Sequence, residues 1–131
     1  MKETAIRENH LYNKAYTRGR RFMGRYVSVY LLKDRAAKRL LLANPNKEYV
    51  NRLGISVSKK IGGAVVRNRS KRIIRAAYRA LSPRLRRGYL VVISARGAIV
   101  GRKSFDIEAE LSKAFLELGL MADDPPKTEE K

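Results

Sequence analysis

Residues 58–81, SKKIGGAVVRNRSKRIIRAAYRAL, decide the fold of this chain. At about 100° of rotation per residue, the period of an α-helix, the stretch divides into two faces. One face is small and apolar and suits contact with a core; it consists of Val66, Ser70, Ile73, Ile74, Ala77 and Leu81. The opposite face consists of Arg67, Asn68, Lys71, Arg72, Arg75 and Arg79, with Arg69 just beyond its edge. The pattern predicts a long amphipathic helix over residues 63–82, stopped by Pro83.

The cations of this predicted helix have no carboxylate nearby in the sequence, because no Asp or Glu occurs between Glu48 and Asp106. Neighbouring like charges at i,i+4 destabilise an exposed helix by about 0.2–0.5 kcal/mol per pair, so a solvated face normally mixes signs. A helix that accepts this cost repeatedly indicates an anionic partner. The pattern therefore favours nucleic-acid binding over a plain solvated face.

The charge of the whole chain supports the same interpretation. The 131 residues carry a net charge of +18. Of the 30 Lys and Arg residues, 27 lie in residues 1–104, which hold only 4 of the 12 acidic residues. The basic surface therefore belongs to the folded body, which we predict to be one domain over residues 1–120. Residues 121–131, which contain the run DDPPKTEEK, are predicted to be a disordered acidic tail.

Groups that could carry catalysis are scarce. The chain has no cysteine, which excludes thiolate metal sites and fits a cytoplasmic protein, and His10 alone is too little for a histidine metal site. No apolar run approaches the ~20 residues that span a membrane. The acidic residues of the basic body are isolated from one another in sequence: Glu3, Glu8, Asp34 and Glu48. A two-metal nuclease needs clustered carboxylates, so we expect the chain either to bind only or to bind a partner that itself does the chemistry.

The remaining elements follow from periodicity and from Gly and Pro positions. We predict helices over residues 7–17 and 104–118, strands over residues 26–32, 52–58 and 89–94, and one or two helical turns within residues 36–43. The order is α-β-β-α-β-α, and the central helix joins its flanking strands as a βαβ unit. The expected fold class is α+β, a single-domain α-β sandwich. On the last helix, the acidic Glu108, Glu110 and Glu117 are expected to face solvent or to neutralise the basic body.

Aromatic and small polar residues mark a second candidate surface. Tyr12 and Tyr16 share one face of the first helix, where they either pack on the core or stack on unpaired bases. Strand alternation places Tyr26, Ser28 and Tyr30 on one face of the first strand, and Gly54, Ser56 and Ser58 on one face of the second. Such a surface suits unstacked, single-stranded RNA better than duplex DNA. The Gly62-Gly63 turn before the central helix is a candidate phosphate seat.

Residues 54–75, GISVSKKIGGAVVRNRSKRIIR, closely resemble the bacterial ribonuclease P protein subunit. In that family a strand ending in SVSKK leads through a glycine turn into a helix with an RNR core, followed by a KR pair. Looser agreement extends over residues 6–118. The family's βαβ crossover is left-handed, whereas about 98% of such crossovers are right-handed, so the resemblance implies a hand that the general rule would not predict.

The resemblance implies a non-catalytic protein subunit of a tRNA-processing endoribonuclease whose RNA carries the chemistry. Its partners would be the catalytic RNA, in a 1:1 complex, and precursor tRNA, with Mg²⁺ held mainly by the RNA and no membrane involved. The residues that would dock on the catalytic RNA are Arg67, Asn68, Arg69, Lys71, Arg72 and Arg75. Those that would line a cleft for the single-stranded 5′ leader are Tyr12, Tyr16, Tyr30, Ser56, Ser58 and Lys60.

This chain departs from the family pattern in three places, the first being Tyr12 and Tyr16, which stand where the family often has phenylalanine. The segment over residues 35–50 is longer than the usual link between the first two strands, and Ser70 stands where a larger apolar residue is common, which would loosen packing slightly. The alternative function is a structural RNA-binding protein of the ribosomal type, which would use the same helix face without a leader cleft. A protein-only nuclease is disfavoured by the scarcity of carboxylates.

Overall fold

The computed structural model describes residues 4–6, 9–34, 51–86 and 88–121. Its strands are β1 (Thr4–Ala5), β2 (Arg20–Met23), β3 (Val27–Lys33), β4 (Arg52–Ser56) and β5 (Tyr89–Ala95). Its helices are α1 (Asn9–Arg18), α2 (Ala64–Leu81) and α3 (Ser104–Leu118). The helical turns predicted within residues 36–43 lie outside the described residues, as does the predicted tail apart from Met121.

The five strands form one mixed sheet in the order β1-β4-β5-β3-β2. Strands β1 and β4 are parallel, as are β4 and β5, whereas β3 runs antiparallel to both β5 and β2. The predicted α+β sandwich and its βαβ unit (β4-α2-β5) are therefore confirmed. The left hand of that crossover stays a prediction.

Two strands were absent from the predicted order. The sequence predicted no helix or strand between residues 17 and 26, but Arg20 and Arg21 begin the edge strand β2. Most side chains of β2 are exposed, so this strand lacks the alternation of polar and apolar residues by which a half-buried strand is predicted. Strand β1 spans only two residues, too few for any periodicity.

One face of the sheet carries the larger core, packed against α2 and α3. Val27, Val29 and Leu31 of β3 point into it, because strand alternation puts them on the face opposite Ser28 and Tyr30. Helix α2 contributes the buried residues Ser70, Ile74, Ala77, Tyr78 and Leu81. The Ser70 hydroxyl donates to the carbonyl of Val66 at 2.9 Å, so this buried polar group is satisfied within its own helix.

Helices α2 and α3 lie side by side and run in the same direction. Near their starts, Arg69 donates a hydrogen bond to the carbonyl of Arg102, which precedes α3. Further along, the rings of Tyr78 and Phe115 meet edge to face with their centroids 6.2 Å apart. Both helices therefore begin at the carboxyl ends of the parallel strands β4 and β5.

The opposite face of the sheet is covered by α1. A smaller cluster there consists of Ile6, Ala15, Leu90 and Val92, with tyrosines packed around it. The sheet is thus covered on both faces, which explains why β5 is an almost uninterrupted apolar run.

A buried ion pair lies at the end of the sheet opposite the first turns of α2 and α3. Arg52 donates two hydrogen bonds to the Asp34 carboxylate, at 2.8 and 3.0 Å, and the Asp34 side chain is only 2% exposed. Asn51 lies beside this pair, accepting from the main-chain N–H of Tyr89 and donating to the carbonyl of Arg86. Asp34, which is isolated in sequence, therefore has a structural role.

Glu110 of α3 holds the β2–β3 turn, and the prediction that it faces solvent or simply neutralises charge was wrong. Its carboxylate accepts hydrogen bonds from the main-chain N–H groups of Arg25, Tyr26 and Val27, each at 2.8 Å. A side chain at Gly24 would collide with this carboxylate at about 2.5 Å, which explains the glycine there. The last helix is thereby tied to the hairpin at the edge of the sheet.

We predict that Glu110→Ala lowers the free energy of unfolding by about 2 kcal/mol, because three main-chain donors lose a charged acceptor that is itself only partly buried. Urea unfolding measures this change. Glu117→Ala, which removes the same charge from an exposed position of the same helix, should change the free energy by less than about 0.5 kcal/mol. Equal effects of the two substitutions would contradict the structural role of Glu110.

Candidate RNA interface

The surface predicted as the leader cleft lies where α1 packs on the sheet, and tyrosines surround a small apolar cluster there. Tyr12 lies directly over Gly54 of β4, where a Cβ atom would come within 2.6 Å of the ring. The rings of Tyr16 and Tyr30 meet at 90° with centroids 4.8 Å apart. All three tyrosines are half-buried, so each is anchored on the sheet while part of it stays accessible. The packing and the stacking interpretations of Tyr12 and Tyr16 are thus compatible.

The floor of this cleft carries a row of serines. Ser56, Ser94 and Ser28 lie opposite one another across β4, β5 and β3, on the face that α1 covers. The hydroxyls of Ser94 and Tyr16 are 3.3 Å apart and share a hydrogen bond. Sequence reasoning missed Ser94 because this residue ends an apolar run. Only the strand register shows that Ser94 lies between Ser56 and Ser28.

The other two residues predicted for the leader cleft lie beyond the end of β4. Ser58 is exposed and extended, and it leads into a 3₁₀ turn over Lys59–Ile61 that contains the exposed Lys60. The structure therefore places Tyr12, Tyr16, Tyr30 and Ser56 together under α1. Ser58 and Lys60 continue from the same strand towards the start of α2.

Tyr26 lies on the other side of the sheet from Tyr30, contrary to the alternation predicted for this segment. Strand β3 begins only at Val27, and Tyr26 belongs to the turn held by Glu110. Its ring packs beside the core that α2 and α3 cover. It therefore does not line the cleft.

The phenol of Tyr12 carries no negative charge at neutral pH. Burial raises the pKa of Tyr12 above its ordinary value of about 10, and the neighbouring Tyr16 raises that pKa further. Folding favours the neutral form of the Tyr12 phenol. The stability that this side chain contributes is therefore fully present below about pH 10 and is lost as the pH rises through the raised pKa. At neutral pH the Tyr12 hydroxyl stays protonated and does not repel a phosphate.

The predicted basic face lies along the side of α2 that faces away from the core. Asn68, Arg69 and Arg72 are exposed, whereas Arg67, Lys71 and Arg75 are partly buried. Gly63 precedes the helix in an extended conformation; no side chain caps the first turn, and no acidic residue lies in it. Anions are favoured at such an end because the first main-chain N–H groups point outward.

The two candidate surfaces lie on opposite faces of the sheet. The cleft is on the α1 face, and the basic residues are on α2, which covers the other face. The segment over residues 57–63 connects them, because it leaves the cleft at the end of β4 and enters α2. One small domain therefore presents two separate candidate surfaces for nucleic acid.

Two other features are absent from the described parts of the chain. These parts contain no group of three or more His, Cys, Asp or Glu residues that could hold a metal ion. Among the helices described, none has the length and apolar character needed to cross a membrane.

The chain combines a basic helix with an aromatic surface on a small α+β sandwich. These features are typical of proteins that bind RNA through one compact domain. The family model for ribonuclease P matches residues 1–119, and the chain belongs to this family.

Individual relatives agree with the family model. The ribonuclease P protein component of Clostridium acetobutylicum is 39% identical over 121 residues, which cover 92% of this chain and 93% of that protein. The solved structure of the Staphylococcus aureus RNase P protein has a TM-score of 0.70 at 26% identity and covers 92% of this chain and 100% of its own. The RNase P protein of Thermotoga maritima, at 20% identity, shares the fold with a TM-score of 0.65, covering 94% of this chain and 100% of its own.

We predict that Gly54→Ala disturbs the cleft, because the new methyl group would lie closer to the Tyr12 ring than van der Waals contact allows. The expected loss is about 1–3 kcal/mol in the free energy of unfolding, with a shift of the Tyr12 ring resonances in NMR spectra. Gly97→Ala is the control, since a Cβ atom there meets nothing within 4 Å. A Gly54→Ala protein with unchanged stability and unchanged Tyr12 resonances would show that the ring does not lie against β4.

Proposed function

We propose that this chain is the protein subunit of a ribonuclease P ribonucleoprotein, in which it binds the catalytic RNA and the 5′ leader of precursor tRNA. In this role it promotes endonucleolytic maturation of the tRNA 5′ end while the RNA carries out the chemistry. The observation that carries the proposal is the joint presence of the tyrosine cleft and the basic face of α2 on one domain of this family.

The cleft suits a single strand of RNA. A base can stack on an accessible tyrosine ring whatever its identity, which contributes about 1–3 kcal/mol per base. The partly exposed Ser56 and Ser94 offer hydroxyl donors and acceptors to sugar and base edges, whereas Ser28 is buried. A duplex would not fit this use, because its bases are already stacked and paired. The 5′ leader of a precursor tRNA is such a single strand, and mature tRNA lacks it.

The basic face of α2 suits the phosphates of a folded RNA. Its cations would displace condensed counterions, so binding should weaken steeply as salt is added. Arginine supplies most of this face, and its planar guanidinium can donate two parallel hydrogen bonds to one phosphate. We assign Arg67, Asn68, Arg69, Lys71, Arg72 and Arg75 to contact with the catalytic RNA, in a 1:1 complex in the cytoplasm.

The described acidic residues form no group of three or more that could hold Mg²⁺ on this chain. Mg²⁺ prefers carboxylate, water and phosphate oxygens. Asp34 is paired with Arg52, and Asp106 and Glu110 accept hydrogen bonds from main-chain N–H groups. We therefore assign Mg²⁺ mainly to the RNA, and we place no catalytic residue in the protein.

We predict that Tyr16→Ala weakens binding of precursor tRNA to the reconstituted complex by about tenfold, because one stacking ring is lost, and leaves binding of mature tRNA unchanged. Equilibrium binding of 5′-labelled precursor and mature tRNA measures both values. Tyr16→Phe keeps the ring and removes only the hydroxyl that contacts Ser94, so it should retain most of the affinity. Equal losses on the two RNAs would favour a structural RNA-binding role without a leader cleft.

A further inference from the structure

A third set of residues, most of them outside the cleft and outside α2, holds an arginine in a fixed position. The turn between β2 and β3 carries Tyr26, whose main-chain N–H donates to Glu110 at 2.8 Å. Its carbonyl accepts from the N–H of Arg96, also at 2.8 Å. Both main-chain groups of Tyr26 are therefore used, and the turn is tied to α3 and to the end of β5.

Arg102 extends its side chain over this anchored ring. The guanidinium carbon lies 5.3 Å from the centroid of Tyr26, within the range of a cation–π contact. Arg102 is exposed, and within the described part of the chain its guanidinium N–H groups have no acceptor. The ring thus orients the guanidinium without occupying the donors that bind a phosphate.

The main chain of Arg102 is held from the other side. Its carbonyl accepts a hydrogen bond from the Arg69 guanidinium at 2.9 Å. Arg69 belongs to the predicted RNA-docking face of α2, so the structure connects that face directly to Arg102. Sequence spacing could not show this contact, because the two residues are 33 positions apart.

Other charges near this position favour an anion. Arg25, Arg96 and Lys103 are exposed neighbours of Tyr26 and Arg102 in the chain or through main-chain hydrogen bonds. The acidic residues close by, Asp106 and Glu110, both accept main-chain hydrogen bonds, from Lys103 and from the β2–β3 turn. Both oxygens of Glu110 and one oxygen of Asp106 are therefore directed to the protein backbone.

We propose that Arg102, oriented by Tyr26 and held in place by Arg69, binds a phosphate of the catalytic RNA and extends the docking surface from α2 across the start of α3. This inference rests on the proposed function. A guanidinium already fixed against a ring loses less side-chain freedom on binding than a free arginine does. In this assignment Arg69 acts partly as a positioning residue for Arg102.

The test is equilibrium binding of the full chain to a bacterial ribonuclease P RNA over a series of salt concentrations. Arg102→Ala should lower affinity several-fold and reduce the slope of log K against log salt by about one, as expected for a lost phosphate contact. Tyr26→Leu leaves the charge but removes the ring, so it should lower affinity and leave the slope close to that of the unsubstituted chain. Tyr26→Phe should bind normally.

Arg84→Ala is the charge-matched control, because Arg84 is exposed and lies past the far end of α2. If Arg102→Ala changes affinity and slope no more than Arg84→Ala does, the phosphate assignment is overturned. If Arg69 positions Arg102, Arg69→Ala should lower the affinity by a smaller factor in the Arg102→Ala protein than in the unsubstituted chain. If the factor is the same in both proteins, the positioning role of Arg69 is overturned. If the unsubstituted chain binds this RNA no better than an unrelated RNA of equal length, the proposed function itself fails.

Discussion

The structure depends on the burial of one apolar stripe of α2 against the sheet. Ile74, Ala77 and Leu81 are almost fully buried there, and each large aliphatic side chain contributes about 1.5–3 kcal/mol when removed from water. Because the stripe must face inward, the cations on the opposite side of the helix must face outward, although they repel one another. The same burial places α2 on one face of the sheet and leaves the other face for α1. The positions of both candidate RNA surfaces follow from this single orientation.

Much of this arrangement could be predicted from the sequence. The amphipathic period of residues 63–82 gave the length and orientation of α2, and alternation in residues 27–31 gave the buried face of β3, because both patterns extend over several residues. The short strand β1 and the exposed strand β2 have no such pattern. Tyr26 was assigned to the wrong face because alternation was extended one residue past the start of the strand, into a turn whose conformation is fixed by the distant Glu110.

The contacts that could not be predicted join residues far apart in sequence. Asp34 pairs with Arg52, Ser94 stands between Ser28 and Ser56, and Glu110 holds the β2–β3 turn. Each contact depends on strand register or on the packing of α3 against the hairpin, neither of which is encoded in local periodicity. These contacts also show that acidic residues of this strongly basic protein, Asp34 and Glu110 among them, hold turns and strand ends together.

The most direct test of the account is reconstitution. The purified chain is mixed with a bacterial ribonuclease P RNA and 5′-labelled precursor tRNA at a Mg²⁺ concentration so low that the RNA alone is nearly inactive. The account predicts correct cleavage at the tRNA 5′ end only when protein and RNA are both present. Cleavage by the protein alone would contradict the assignment of the chemistry to the RNA. Tight binding to the RNA without any rescue of cleavage would contradict the proposed subunit function.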